Sequence, residues 1–212
     1  MKNINKLLMI LALPALLITG CKKDTSDKVS KTVKVSYPEI TLMGNSFVIV
    51  AAGTTYTDAG AKLKDDISGA ITDIQPTSNP VNTAQPGIYV VSFVASNSNG
   101  FETSATRLVA VSKAFGTVNR QGTYKRTATG VNCYITKLAD GVYEVKNPGG
   151  AGISPNTIVY MAETAANVFV CPPQPTEFGS MSVVNINFNV TGVTWNVLNP
   201  NFGTQLRTFI KQ

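Results

Sequence analysis

Gly87-Ile88-Tyr89-Val90-Val91-Ser92-Phe93-Val94-Ala95 is nine residues without a charge, rich in β-branched and aromatic side chains. Such a run is too short and too β-branched for a helix, so it is read as a strand. Side chains alternate across a strand, which puts Tyr89, Val91, Phe93 and Ala95 on one face, taken here as the core face. The opposite face carries Ile88, Val90 and Val94. That face is too apolar for water, and a neighbouring domain is expected to cover it.

Working outward, similar short runs flank this strand: Val33 to Tyr37, Ile40 to Leu42, Phe47 to Val50, Ala61 to Leu63, Ala70 to Ile74 and Thr106 to Val111. Gly, Asn, Asp and Pro separate them, and no stretch has helical periodicity. Seven short strands in about eighty residues predict a β-sandwich. The spacing of Ile40-x-Leu42-x-Gly44, Gly53-x-x-Tyr56-x-Asp58-x-Gly60-Ala61, Asp66-x-x-Gly69-x-Ile71-Thr72, Asn82-Thr83-x-x-Pro86-Gly87-x-Tyr89-x-Val91 and Thr106-Arg107-x-Val109-x-Val111 resembles the bacterial immunoglobulin-like domain named after a pesticidal crystal protein. The resemblance implies a spacer module of secreted and surface proteins over residues 37–112. Where that family has an aspartate and a serine before a glycine, this chain has Asn97-Ser98-Asn99-Gly100, which weakens any calcium site in the loop.

Residues 113–121 read as a linker, with Gly116 and Asn119 and few large side chains. Residues 122–212 form a second β-rich domain, expected to be an antiparallel sandwich or barrel-like. Its runs are Tyr124 to Thr127, Val131 to Leu138, Val142 to Asn147, Ile158 to Ala162, Val168 to Cys171, Met181 to Val190, Val193 to Leu198 and Gln205 to Ile210. Asp140-Gly141 reads as a tight hairpin turn. Cys171-Pro172-Pro173-Gln174-Pro175 is expected to be an exposed loop, because proline cannot donate to a ladder. In the run to Val190, Val184, Ile186, Phe188 and Val190 are expected to face inward, opposite Asn185, Asn187 and Asn189. After the turn at Thr191-Gly192, Thr194 and Asn196 join the amide face and Trp195 the core. Those five polar side chains are the candidate ligand-binding residues, since amides can donate to and accept from sugar hydroxyls; a solvated sheet surface explains them more simply. Gly122-x-Tyr124, Ile135-Thr136-Lys137, Gly141-x-Tyr143-x-Val145 and Asn147-Pro148-Gly149-Gly150 resemble the carboxy-terminal β domain of Bacteroidota-type surface lipoproteins. That likeness implies company with glycan-uptake systems.

The chain opens on Lys2 and Lys6, an apolar Leu7 to Ile18, and Ile18-Thr19-Gly20-Cys21. This is an export signal over residues 1–20, and its last four residues resemble the bacterial lipobox. Cys21 then heads the mature chain and carries lipid, which predicts attachment to the outer membrane, on the cell surface. Removing 20 of the 212 residues leaves 192, and losing Lys2 and Lys6 lowers the formal charge from +6 to +4. Residues 21–36 are polar and charged and read as a flexible tether. No arginine-aromatic stripe or nucleic-acid motif is present, so no DNA or RNA partner is expected.

The sequence has no histidine. That excludes imidazole bases, Ser-His-Asp and Cys-His catalysis and His-containing zinc sites. No metal or cofactor is expected. Asp58, Asp65, Asp66 and Asp73 read as turn formers at strand ends, and Glu144 with Glu163 or Glu177 is the only acid set of the second domain that would serve a hydrolase, if they converged in space. Beyond Cys21 the cysteines are Cys133 and Cys171, which either bridge in an oxidising compartment or stay as two buried thiols. The expectation is a non-catalytic surface lipoprotein, spacer plus recognition module, whose partner is a glycan. The alternative is an assembly protein meeting other envelope proteins through the Ile88, Val90 and Val94 face.

Overall fold

A computed structural model describes residues 35–153 and 155–212. Cys21 and its leader lie outside the described residues, as do Val33 and Lys34 of the first expected strand; residues 35–37 carry no strand. All regular structure among the described residues is β, and residues 35–212 form one compact unit.

Among the described residues the amino-terminal half has six strands. They are β1 (Glu39–Leu42), β2 (Phe47–Ala51), β3 (Ala61–Lys64), β4 (Ile71–Ile74), β5 (Gly87–Ser96) and β6 (Glu102–Ser112). Two sheets, ordered β1-β3-β4 and β2-β6-β5, make the sandwich. Tyr89, Val91 and Phe93 of β5 meet Ala61, Val109, Ile40, Leu42 and Val50 in its core, as the period of two requires.

A buried ion pair pins the two sheets together. The side chains of Arg107 and Asp58 are 2% and 3% exposed and bonded to each other. Asp58 also accepts from the Tyr56 hydroxyl at 2.6 Å and the Gly60 N–H at 2.7 Å, while Arg107 donates to the carbonyls of Asn45 (2.9 Å), Gly60 (3.2 Å) and Met43. Burial alone would raise the Asp58 pKa. The hydrogen bonds from Arg107, Tyr56 and Gly60, with the charge of Arg107, outweigh it and hold the carboxyl below its ordinary value. Asp58 is therefore more than a turn former.

The carboxy-terminal half is a closed barrel. Strands β7 (Gly122–Arg126), β8 (Asn132–Ala139), β9 (Val142–Lys146), β10 (Ile158–Ala165), β11 (Val168–Thr176), β12 (Gly179–Phe188), β13 (Gly192–Leu198) and β14 (Leu206–Lys211) each pair antiparallel with the next. β14 closes on β7 through Phe209↔Arg126, Ile210↔Lys125 and Lys211↔Tyr124. An eight-stranded barrel is just wide enough for side chains to fill. Here Tyr124, Ile135, Tyr143, Met161, Phe169, Met181, Phe188, Trp195 and Phe209 fill it, with Cys133 and Cys171 among them. Trp195 is fully buried and donates from Nε1 to the Pro148 carbonyl at 2.8 Å, which draws the Asn147-Pro148-Gly149-Gly150 turn over one end of the barrel.

Two sequence expectations fail in this half. The proline run is not a loop: β11 continues through it to Thr176, with a register shift between Cys171 and Gln174. Past Val170 the prolines offer β10 no N–H, and the Gln174 side chain takes over. Its Nε2 donates to the Tyr160 carbonyl at 2.5 Å and its Oε1 accepts from the Tyr160 N–H at 2.9 Å. A buried amide thus does the pairing of a missing peptide group. The second failure is the alternation in β12. Val183 rather than Val184 is buried, because Asn185 sits at φ +54° in a register shift between Val184 and Asn187; Ile186 and Phe188 pack inward as expected, and Val190, expected inside, lies past the end of β12 and is 100% exposed. A bulge adds one residue and flips the faces on either side of it.

The two halves share a third apolar cluster. Ile88, Val90, Leu108, Ala110 and Phe47 of the sandwich pack on Ala139, Val142, Tyr160 and Ala162 of the barrel wall. Phe47 and Tyr160 stack with centroids 3.8 Å apart and planes 9° from parallel. The barrel is the cover that the apolar face of β5 requires; only Val94 stays on the surface.

Candidate functional site

The expected amide face divides into separate roles. Asn185, Asn187 and Asn189 are exposed and Thr194 and Asn196 half-buried. The Asn185 Nδ2 donates to Asn196 Oδ1 at 3.0 Å, and Asn196 Nδ2 to the Thr204 carbonyl at 2.8 Å. Asn189 Oδ1 accepts from the Thr191 N–H and hydroxyl and from the Gly192 N–H, all within 2.9 Å. Asn189 is a turn cap. Gly192 is obligatory beside it, since a Cβ there would lie 1.9 Å from the Phe209 carbonyl oxygen.

What the sequence reading missed lies at that turn. The mouth of the barrel holds a pocket of about 470 Å³, lined by Val118, Asn119 and Arg120 of segment 113–121 and by Tyr124, Phe188, Asn189, Val190, Gly192 and Lys211. That size is in the range of small-molecule sites, roughly 300–1,000 Å³. Arg120 lies 5.0 Å above the Phe188 ring and donates to Asn167 Oδ1 at 2.8 Å; Lys211 lies 5.8 Å from the Tyr124 ring. Neither cation forms an ion pair among the described residues. Burial pushes the Tyr124 phenol up to about 12, against the lowering influence of Arg120, so it stays protonated and donates to the Arg120 carbonyl at 2.7 Å. The lining therefore offers two cations and two exposed valines, with no carboxylate, while Tyr124 and Phe188 stay buried in the barrel core. The only sequence signal was Arg120, near the end of the segment read as a linker and four residues before Tyr124 of the first barrel strand.

The acids do not converge. Glu163 is buried and caps the Asn167 N–H at 2.7 Å, at one end of the barrel; Glu177 accepts from the Thr157 hydroxyl at 2.7 Å, at the other. Glu144 projects from β9 between the core residues Tyr143 and Val145. Asp65 Oδ1 caps the Ile67 and Ser68 N–H groups, and Asp73 pairs with Lys62 on the surface. In the Asn97 loop, Nδ2 donates to the Ser36 carbonyl and Asp66 Oδ1 and Oδ1 accepts from Asn99 and Phe101 N–H groups. Those four bonds organise the loop through the residue that departs from the family pattern. No group of acids, cysteines or histidines with metal-binding geometry occurs among the described residues.

Cys133 and Cys171 are buried free thiols; the bridge considered from sequence is not formed. Burial pushes Cys171 up to about 12 and raises Cys133 as well, so neither is a thiolate at neutral pH.

The sheet order, the Tyr56-Asp58-Gly60 corner and its Arg107 partner define the amino-terminal module. Residues 40–111 match the family of bacterial surface protein Ig-like domains. This Ig-like domain packs on the barrel through β5 and β6. A crystal structure of a lipoprotein from Bacteroides thetaiotaomicron aligns with 83% of this chain and 100% of its own, at 21% identity and a TM-score of 0.38. No curated protein matches the chain.

Proposed function

We propose that the chain is a non-catalytic lipoprotein of the bacterial cell surface, held at the outer membrane by lipid on Cys21, in which the Ig-like domain carries a barrel that recognises a glycan. The match of residues 40–111 supports the surface setting, and the lipobox-like Ile18-Thr19-Gly20-Cys21 supports the anchor. One observation carries the recognition role: the barrel mouth brings Arg120, Lys211, Tyr124 and Phe188 around a single pocket. The exposed Val118 and Val190 suit the apolar face of a sugar ring, and two cations without carboxylate neighbours suit an acidic substituent such as a uronate. The amides of Asn185, Asn187 and Asn196 and the Thr194 hydroxyl extend a polar surface from the same hairpin.

The test is a glycan array probed with the soluble protein from residue 22, covering neutral and acidic plant, host and microbial polysaccharides. Binding to acidic glycans, weakened at least tenfold by the double substitution Arg120→Ala/Lys211→Ala, is expected. Absence of binding across the array contradicts the proposal. The envelope-assembly reading drew on the Ile88, Val90 and Val94 face, and Ile88 and Val90 are occupied within the chain.

A further inference from the structure

At the end of the barrel away from that mouth, two arginines point inward. Arg207 of β14 is 4% exposed although it shares the interior face with Phe209. Arg126 is paired with Phe209 across the β14–β7 seam, which makes it the diagonal neighbour of Arg207, about 7–8 Å away at the backbone. The Asn147-Pro148-Gly149-Gly150 turn closes over Arg126. Arg126 Nη1 donates to the Gly149 carbonyl at 3.0 Å, and a Cβ on Gly150 would come within 2.8 Å of the Arg126 side chain. Arg207 Nη2 donates to the Phe202 carbonyl at 2.8 Å.

Three of their other donor nitrogens are stranded. Nε and Nη1 of Arg207 and Nε of Arg126 are buried without a hydrogen-bond partner among the described residues. No carboxylate pairs with either side chain there: the ion pairs of the described residues are Lys62–Asp73, Arg107–Asp58 and Lys137–Asp140. Burial, followed by the charge of Arg126, lowers the Arg207 pKa, yet guanidinium stays protonated in proteins, so the charge cannot be discharged by losing a proton. Water would satisfy the N–H groups and leave the buried charge of Arg207 uncompensated beside the like charge of Arg126. An anion satisfies both.

We propose that Arg126 and Arg207 form a buried binding site for a small inorganic anion of halide size, which locks β14 to β7 and the 147–150 turn onto the barrel. The enclosed donors favour a halide over a larger carboxylate ligand. The site differs from the mouth pocket and does not depend on glycan binding.

Thermal unfolding of the soluble protein at fixed ionic strength tests this, with sodium chloride or bromide exchanged stepwise for sodium gluconate. A saturable rise in Tm of roughly 5–10 °C at hundredfold excess over Kd is expected with the halides, and it disappears in Arg207→Met. Equal Tm values in halide and gluconate would overturn the proposal. Crystals soaked in sodium bromide give a second readout that does not depend on the variant folding. An anomalous peak between the two guanidinium groups supports the site, and its absence refutes it.

Discussion

Arg107→Met is the substitution whose outcome the structure fixes most tightly. It removes a guanidinium that is 2% exposed and donates to Asp58 and to three carbonyls, those of Asn45, Gly60 and Met43. Asp58 is left 3% exposed with only Tyr56 and the Gly60 N–H to hold its charge. Breaking a buried pair from one side costs about 3–5 kcal/mol, because the remaining charge is uncompensated. At roughly 2–4 °C per kcal/mol for a protein of this size, Tm falls by about 6–20 °C. The exposed pair Lys62–Asp73, with side chains 52% and 64% accessible, is the internal control, and Lys62→Ala costs no more than about 0.5 kcal/mol. Acidity separates a charge effect from lost packing. In the wild type the depressed Asp58 pKa contributes stability above the unfolded value, roughly 3.9, which is lost as pH falls through the folded value. In the variant burial raises that pKa instead, so the gap between the two proteins narrows on acidification from pH 7. Calorimetry at pH 7 and pH 4 reads both effects. A loss at pH 7 no larger than that of Lys62→Ala, or a gap that widens in acid, would refute the reasoning.

Phe47→Ala empties one side of the stack on Tyr160 and lowers stability by about 2–3 kcal/mol; calorimetry then shows the Ig-like domain and the barrel unfolding in two steps rather than one. Gln174→Ala strands the Tyr160 N–H and carbonyl and costs about 2–3 kcal/mol, with faster amide exchange at Tyr160 as its local signature. Both barrel thiols resist a thiol reagent in the native protein without reductant and react fully, two per chain, once it is unfolded; a mass two units lower and no reaction would restore the bridge.

The sequence made the local features legible and left the distant ones hidden. A period of two placed Tyr89, Val91 and Phe93 in the core, and it also marked Ile88 and Val90 as needing a cover, which the barrel provides. Barrel closure depends on Phe209 meeting Arg126, a pairing between the two ends of the domain that no local pattern encodes. The same holds for Asp58 and Arg107, each legible as a motif residue while their pairing was not. In β12 the asparagines misled: Asn185 tolerates positive φ and hosts the bulge, and Asn189 spends its oxygen on a turn, so alternating polarity reflected backbone geometry as much as surface. The prolines of β11 misled in the opposite sense, because a side-chain amide three residues from Cys171 can replace main-chain pairing. The mouth pocket was invisible because it is assembled from segment 113–121, a hairpin turn and the last residues of β14.

Labelling growing cells with an alkynyl fatty acid tests the surface-lipoprotein claim most directly, comparing the full-length protein with its Cys21→Ser variant. The account predicts that the wild type carries the probe and sediments with the outer membrane, while the variant is unlabelled. Equal absence of label from both would contradict it.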